Sequence, residues 1–329
     1  MWLALRSLLK FVLHLFTRKC ELERITRGYP AHRLGMIGLV RDSLALSKTL
    51  PQSRRGATAF ALFNASQASD EIRHVKGFSN PGLSFALQSL RRSSVGLAHV
   101  EALMGTAYDT GNAEHVRMLD ELWTSLMDAR QTGDARDWTV LGFQTSRRPE
   151  TDFRGGGLLS LHNLVFFCSR YSDSARRVLR EQCGDVAQGG FPFAITGINL
   201  TFFAFTELVK PRKLDALFEQ AAGPEPSIGA ANERSALLAS VAPDVGGGGD
   251  DDRDSDDTAR AVALDRFNVL YAVLFRMFAA QWRDERPADA MQFPLVFRRF
   301  KDRVFAMLAT REGLDTLAGR GEHEAAAAM

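Results

Sequence analysis

Apolar residues in this chain recur at intervals of three and four and hardly anywhere at two. Beyond Pro81 the residues Leu83, Leu87, Leu90, Val95, Leu97 and Val100 follow that spacing. A period near 3.6 gathers such side chains on one face of a helix, whereas a half-buried strand needs strict alternation. Asn80 followed by Pro81 reads as a helix cap with proline in the first turn. Asn112 opens a second run that places Val116, Leu119, Leu122, Trp123 and Leu126 on one face, and Ser172 or Ser174 opens a third. No Asn-Gly or Asp-Gly turn joins two alternating runs, so the expected fold class is all-α.

The ambiguous stretch is "FAITGINLTFFAF", whose β-branched residues and Gly197 fit a buried strand or a crowded helix. Its length favours a helix that continues to Val209 and stops before Pro211. Further on, "ALDRFNVLYAVLFRMFAAQW" reads as an apolar helix ending before Pro287. In the next segment Phe293, Val296, Phe297, Phe300, Val304, Phe305 and Leu308 keep helical spacing, with Arg298, Arg299, Lys301 and Arg303 around them.

Composition changes between Ala222 and Ala259, where Gly, Ser, Ala and Asp leave little to anchor a core, and a disordered insertion is expected. Asp250, Asp252 and Asp254 mimic the first ligands of a calcium loop. The glycine position holds Ser255 and the bidentate carboxylate position holds Ala261, so the pattern fails.

The chain begins "MWLALRSLLKFVLHLFTRK", with Arg6, Lys10, His14 and Arg18 forming one polar stripe on an otherwise apolar helix. The segment is too short and too charged to span a bilayer, and it lacks a small-residue cleavage site. It fits a peripheral anchor over Met1 to Phe16, or a helix docked on the protein's own core. The organisation read from the sequence is an amphipathic helix at 1–19, a helical region at 20–137, a central core at 138–221, the insertion at 222–259, C-terminal helices at 260–310 and a fraying tail at 311–329.

Lys and Arg total 41 against 39 Asp and Glu, a formal charge of +2 that lacks the basic excess expected of a nucleic-acid binder. Three cysteines, an odd number without CxxC, point to a reducing compartment and speak against a structural zinc site. P-loop, GxSxG and HExxH motifs are absent, as is a GxGxxG after a clear strand. No cofactor site of the chain's own is expected.

One stretch carries chemistry. Trp138, Gly142-Phe143-Gln144, Pro149, Thr151-Asp152-Phe153-Arg154-Gly155, Gly157-Leu158-Leu159, Leu161 and Leu164 together resemble the signature of the ELMO domain. "GGFPFAITGINLT" and the early "KCELERI" are similar to its short, ELMOD-type members. The chain has neither the long N-terminal repeats nor the pleckstrin-homology domain of the larger ELMO proteins, and looks like a complete ELMOD-type protein.

The resemblance implies an all-helical, zinc-free GTPase-activating protein for Arf and Arf-like GTPases in their GTP state. Arg154 would be the catalytic finger, while GTP and Mg2+ belong to the partner. A guanidinium suits this work because its planar fork offers fixed donors and a permanent charge to the phosphoryl oxygens of the transition state. Asp152 is expected to cap the following helix or steer the guanidinium. Gln144 is expected to supply a second polar group or to hydrogen-bond the loop. Gly155, Gly156 and Gly157 would leave room for a partner's surface, and Trp138, Phe143 and Phe153 would anchor the loop.

Ser160 stands where the family usually has glycine, and the acidic insertion is longer than expected. The matching address is cytoplasmic with peripheral membrane attachment. The alternative reading is a non-catalytic scaffold that binds a small GTPase or a Rac exchange factor, and a third is a purely structural membrane-associated helical protein.

Overall fold

Short polar side chains begin several helices. In the computed structural model, which describes residues 18–28, 33–60, 63–127, 136–183, 189–219 and 250–319, the Asn80 carboxamide accepts from the Leu83 N–H at 2.8 Å. Asn112 accepts from the Glu114 N–H at 2.9 Å. Each satisfies a donor that the first helical turn leaves without a partner in the helix.

The α-helices in chain order are α1 (Glu21–Thr26), α2 (Arg33–Ala45), α3 (Pro51–Thr58), α4 (Ala65–Lys76), α5 (Pro81–Gly105), α6 (Ala113–Leu126) and α7 (Gly157–Arg170). They continue with α8 (Ser172–Gln182), α9 (Phe193–Phe203), α10 (Asp215–Phe218), α11 (Asp250–Glu285), α12 (Phe293–Met307) and α13 (Arg311–Leu317). Short 3-10 turns occupy Trp138–Leu141, Pro149–Gly155 and Ala290–Gln292. No strand occurs among the described residues, in agreement with the all-α expectation.

The ambiguous apolar stretch is helix α9, prolonged by a π-helical segment over Ala204–Val209 in which the Lys210 N–H reaches the Phe205 carbonyl at 2.8 Å. Ser172 is the first residue of α8, and Tyr171 precedes it without a side-chain cap.

The chain divides into two compact units that cut across the segments read from composition, because α5 and α11 each contribute to both. Of the described residues, one unit holds those up to His99 and those between 215 and 263, and the other holds those between 100 and 214 and from 264 onwards. In the first unit Ile37, Val40 and Leu44 of α2 share a core with Ile72 of α4 and Leu83 and Leu87 of α5. Arg41 pairs with Asp215 at 2.7 Å and with Glu219, tying α10 to α2. Helix α3 takes its cap from another helix: Glu71 of α4 accepts from the Gln52 and Ser53 N–H groups at 3.0 and 2.7 Å.

The second unit is built on α7, whose Leu158, Leu159, Leu161, Leu164 and Phe167 are all buried. Phe275 of α11 stacks on Phe167 with ring centroids 4.8 Å apart, and Phe278 meets Phe300 of α12 edge-on at 5.4 Å.

Two expectations change. The insertion was drawn to Ala259, but Asp250 to Ala259 are helical. Asp256 pairs with Arg91 at 2.8 Å. A Cβ on Gly96 would fall 2.4 Å from the Ala263 Cβ and 2.8 Å from the Ala259 carbonyl. The acidic run therefore ends as the start of a packed helix, its small residues admitting α5. The tail was expected to fray from Arg311, yet Thr310 caps α13 through the Gly313 N–H and Leu317 is fully buried. The anchor at Met1 to Phe16, and insertion residues 222–249, lie outside the described residues.

Candidate functional site

The loop from Trp138 to Gly156 lies within the second unit and closes on its own backbone. Asp137 caps the Trp138–Leu141 turn through the Thr139 N–H, and Gly142 ends it at φ +79°. Glycine is required at that position. Apart from the left-handed backbone, a Cβ would sit 2.4 Å from the Phe193 nitrogen at the start of α9. The Trp138 N–H then returns to the Ser146 carbonyl at 3.0 Å.

Pro149 opens the second turn, where the Thr151 N–H and hydroxyl both bond the Arg148 carbonyl, at 3.2 and 2.8 Å. Beneath these turns runs a ladder of rings. Trp123 of α6 meets Trp138 at 5.0 Å, Trp138 meets Phe143 at 5.5 Å, and Phe143 meets Phe153 at 5.8 Å. Tyr108 stacks on Phe153 at 6.2 Å. Phe153 is 2% exposed, so the residue before Arg154 is fixed in the core while Arg154 itself is exposed.

Arg154 makes one internal bond: its Nε–H donates to the Thr151 carbonyl at 2.8 Å. That bond orients the guanidinium plane, and the two terminal nitrogens have no protein partner among the described residues. Asp152 does neither of the things expected of it. Its Oδ2 accepts from the Gln144 backbone N–H at 2.8 Å, bracing one turn against the other, and helix α7 starts from Gly156 with no side-chain cap. Gln144 accordingly enters the loop through its main chain, and its carboxamide is exposed.

The three glycines divide between two tasks. Around Gly155 a Cβ would meet nothing within 4 Å. At Gly156 it would lie 1.8 Å from the Ser160 Oγ. Ser160 thus fills the space that the missing side chain leaves, and its buried hydroxyl has no hydrogen-bond partner among the described residues. Gly157 has φ +55° and would place a Cβ 2.2 Å from the Met104 carbonyl at the end of α5. It is buried and serves internal packing, so of the three glycines only Gly155 has open space where a side chain would be. The Leu158 N–H completes this junction on the Thr106 carbonyl at 2.8 Å.

Two contributors carried no sequence signal. A backbone carbonyl holds Arg154, and residue identity does not show where a carbonyl points. Tyr108 joins the ring ladder from a loop after α5. Burial first, and then Glu150, Asp120 and Asp109, push its phenol above the ordinary range. Among the described residues no three or more His, Cys, Asp or Glu side chains gather as metal ligands.

Sequence comparisons find relatives along most of the chain. The chain is 26% identical over 307 residues to ELMO domain-containing protein B of Dictyostelium discoideum, covering 90% of this chain and 92% of that one. It is 28% identical to human ELMO domain-containing protein 1, over 91% of this chain and 87% of the relative. It is 29% identical to mouse ELMO domain-containing protein 2, over 95% and 94%. No solved structure matches. The profile of the ELMO/CED-12 family matches residues 98–297, a span that takes in the ring ladder, the Arg154 loop and the helices that hold it, and the chain belongs to that family.

Proposed function

We propose that the protein is a GTPase-activating protein for Arf or Arf-like GTPases, placing Arg154 against the γ-phosphate of a partner's GTP. The supporting observation is the contrast at one residue: an exposed guanidinium with unpaired terminal nitrogens follows a buried phenylalanine in a loop closed by its own backbone bonds. Charge redistributes over the phosphoryl oxygens as GTP is cleaved, and a donor already in place needs no reorganisation to meet it. Such fingers are worth about 10³ to 10⁵ in rate, or roughly 4 to 7 kcal/mol. The protein would have no substrate turnover of its own, and Mg2+ would come with the nucleotide.

The test is GTP hydrolysis by a panel of Arf and Arf-like GTPases with and without catalytic amounts of the protein. Acceleration of at least one member is expected. A complex that forms and leaves every hydrolysis rate unchanged would replace the activator with the scaffold reading.

The proposed address is the cytoplasmic face of a membrane, reached through Met1 to Phe16. No helix among the described residues is long and apolar enough to cross a bilayer. The amphipathic pattern of Met1 to Phe16 supports binding at the interface, where an apolar face is buried among lipid headgroups and acyl chains. Deleting these residues should abolish co-sedimentation with anionic liposomes. Undiminished sedimentation would remove the anchor from the account.

A further inference from the structure

Helix α9 leaves one large side chain in water. Phe202 is 48% exposed although Thr201, Phe203 and Ala204 beside it are buried. Its face leads back to the arginine loop. Ile198, one turn earlier, sets its Cγ2 3.7 Å from where a Cβ on Gly156 would lie, and the Ile195 N–H donates to the Gly142 carbonyl at 3.4 Å. Residues three and four apart share a helix face, so Ile195, Ile198 and Phe202 form one line and the loop crosses it at Ile198. Four residues advance about 6 Å along the axis, which puts the exposed ring one turn beyond the crossing. At the other end Val140, also 48% exposed, belongs to the turn that Gly142 closes.

The backbone maintains this exposure. Immediately after Phe203 the helix widens into the π segment, so that Phe205, Leu208 and Val209 are buried while Phe202 stays outside. Wide turns of this kind occur frequently at functional sites.

We infer that Phe202 and Val140 are the docking contacts of the GTP-loaded GTPase, seated on either side of Arg154. The inference rests on the activator reading. A standard interface covers about 800 Å² per partner, a disc of roughly 16 Å radius, so a partner whose phosphates meet Arg154 also covers side chains around the loop. The loop's charge suits a partner that brings nucleotide phosphates: Arg148 pairs with Glu150 at 3.2 Å and Asp152 accepts from the Gln144 N–H, which leaves Arg147 and Arg154 as its further cations. Aromatic residues and arginine are also the types enriched among interface residues that dominate binding energy.

The experiment titrates the full-length protein against Arf and Arf-like GTPases loaded with a non-hydrolysable GTP analogue, alongside single-turnover hydrolysis with GTP. Phe202→Ser should weaken affinity about tenfold and Val140→Ser less, the loss of activation being overcome by added protein. Arg154→Lys should instead lower the saturating rate. Unchanged affinity in Phe202→Ser overturns the inference, as does a fall in melting temperature with affinity intact, which would assign the ring to internal packing. Wild-type binding without acceleration removes the activator reading while the affinity comparison still decides the docking face. Binding to no member of the panel removes both.

Discussion

Arg154 and His99 are opposite uses of a basic side chain, one charged and outside, the other neutral and buried. Arg154 is carried outward by a motif legible in the sequence, because Thr-Asp-Phe-Arg-Gly in fixed order is specific. The Thr151 carbonyl that orients it was not legible, and Asp152 looked like a partner for the arginine when it is a brace for the Gln144 N–H. His99 is 4% exposed, and neither ring nitrogen has a hydrogen-bond partner among the described residues. Burial first, then Arg260, lowers its pKa from 6.5 to about 4, with Asp257 opposing. The folded protein therefore refuses a proton that the unfolded chain accepts, and stability falls as pH drops from about 6.5 to about 4, by up to about 3 kcal/mol. Urea unfolding of wild type and His99→Leu at about pH 7 and pH 4 measures this, since the stability difference between them should change by that amount. A difference that does not vary with pH would contradict the buried neutral imidazole.

Among elements, caps and periodicity were the readable part: Asn80 and Asn112 start α5 and α6 by local chemistry. Glu71 capping α3 was not readable, because the acceptor comes from the next helix rather than from the position before the first turn. The π segment escaped for a similar reason, its register being set by which side chains the surrounding helices bury. Gly155-Gly156-Gly157 shows the limit most clearly, as three identical residues differ in backbone conformation and in what surrounds them. Gly157→Ala should lower stability by about 2 to 4 kcal/mol, through positive φ and the Met104 carbonyl, whereas Gly155→Ala should change it by less than about 0.5 kcal/mol. Thermal melts of the pair check this. Equal stabilities would mean that the α5–α7 junction relaxes more than its geometry suggests.

At the scale of the molecule, composition identified a core-poor segment and misplaced its end, since Asp-rich sequence can still form the first turns of a packed helix. Acidic side chains are also favourable near a helix N-terminus. Replacing residues 222–249 with a Gly/Ser segment of equal length should shift the melting temperature by less than about 2 °C. Replacing Asp250 to Ala263 should lower it several-fold more, because the Arg91 ion pair and the Gly96 crossing are lost. Calorimetry distinguishes the two, and a large drop from the first replacement would show that residues 222–249 contribute to the fold. In the proposed activity the folded protein presents one arginine to another protein's nucleotide. Single-turnover GTP hydrolysis by a responsive Arf-family GTPase, at saturating wild-type protein and at saturating Arg154→Lys, tests it most directly. The account predicts that the lysine variant, with unchanged melting temperature and retained binding, loses at least about a hundredfold of the acceleration. Full acceleration by Arg154→Lys would contradict it.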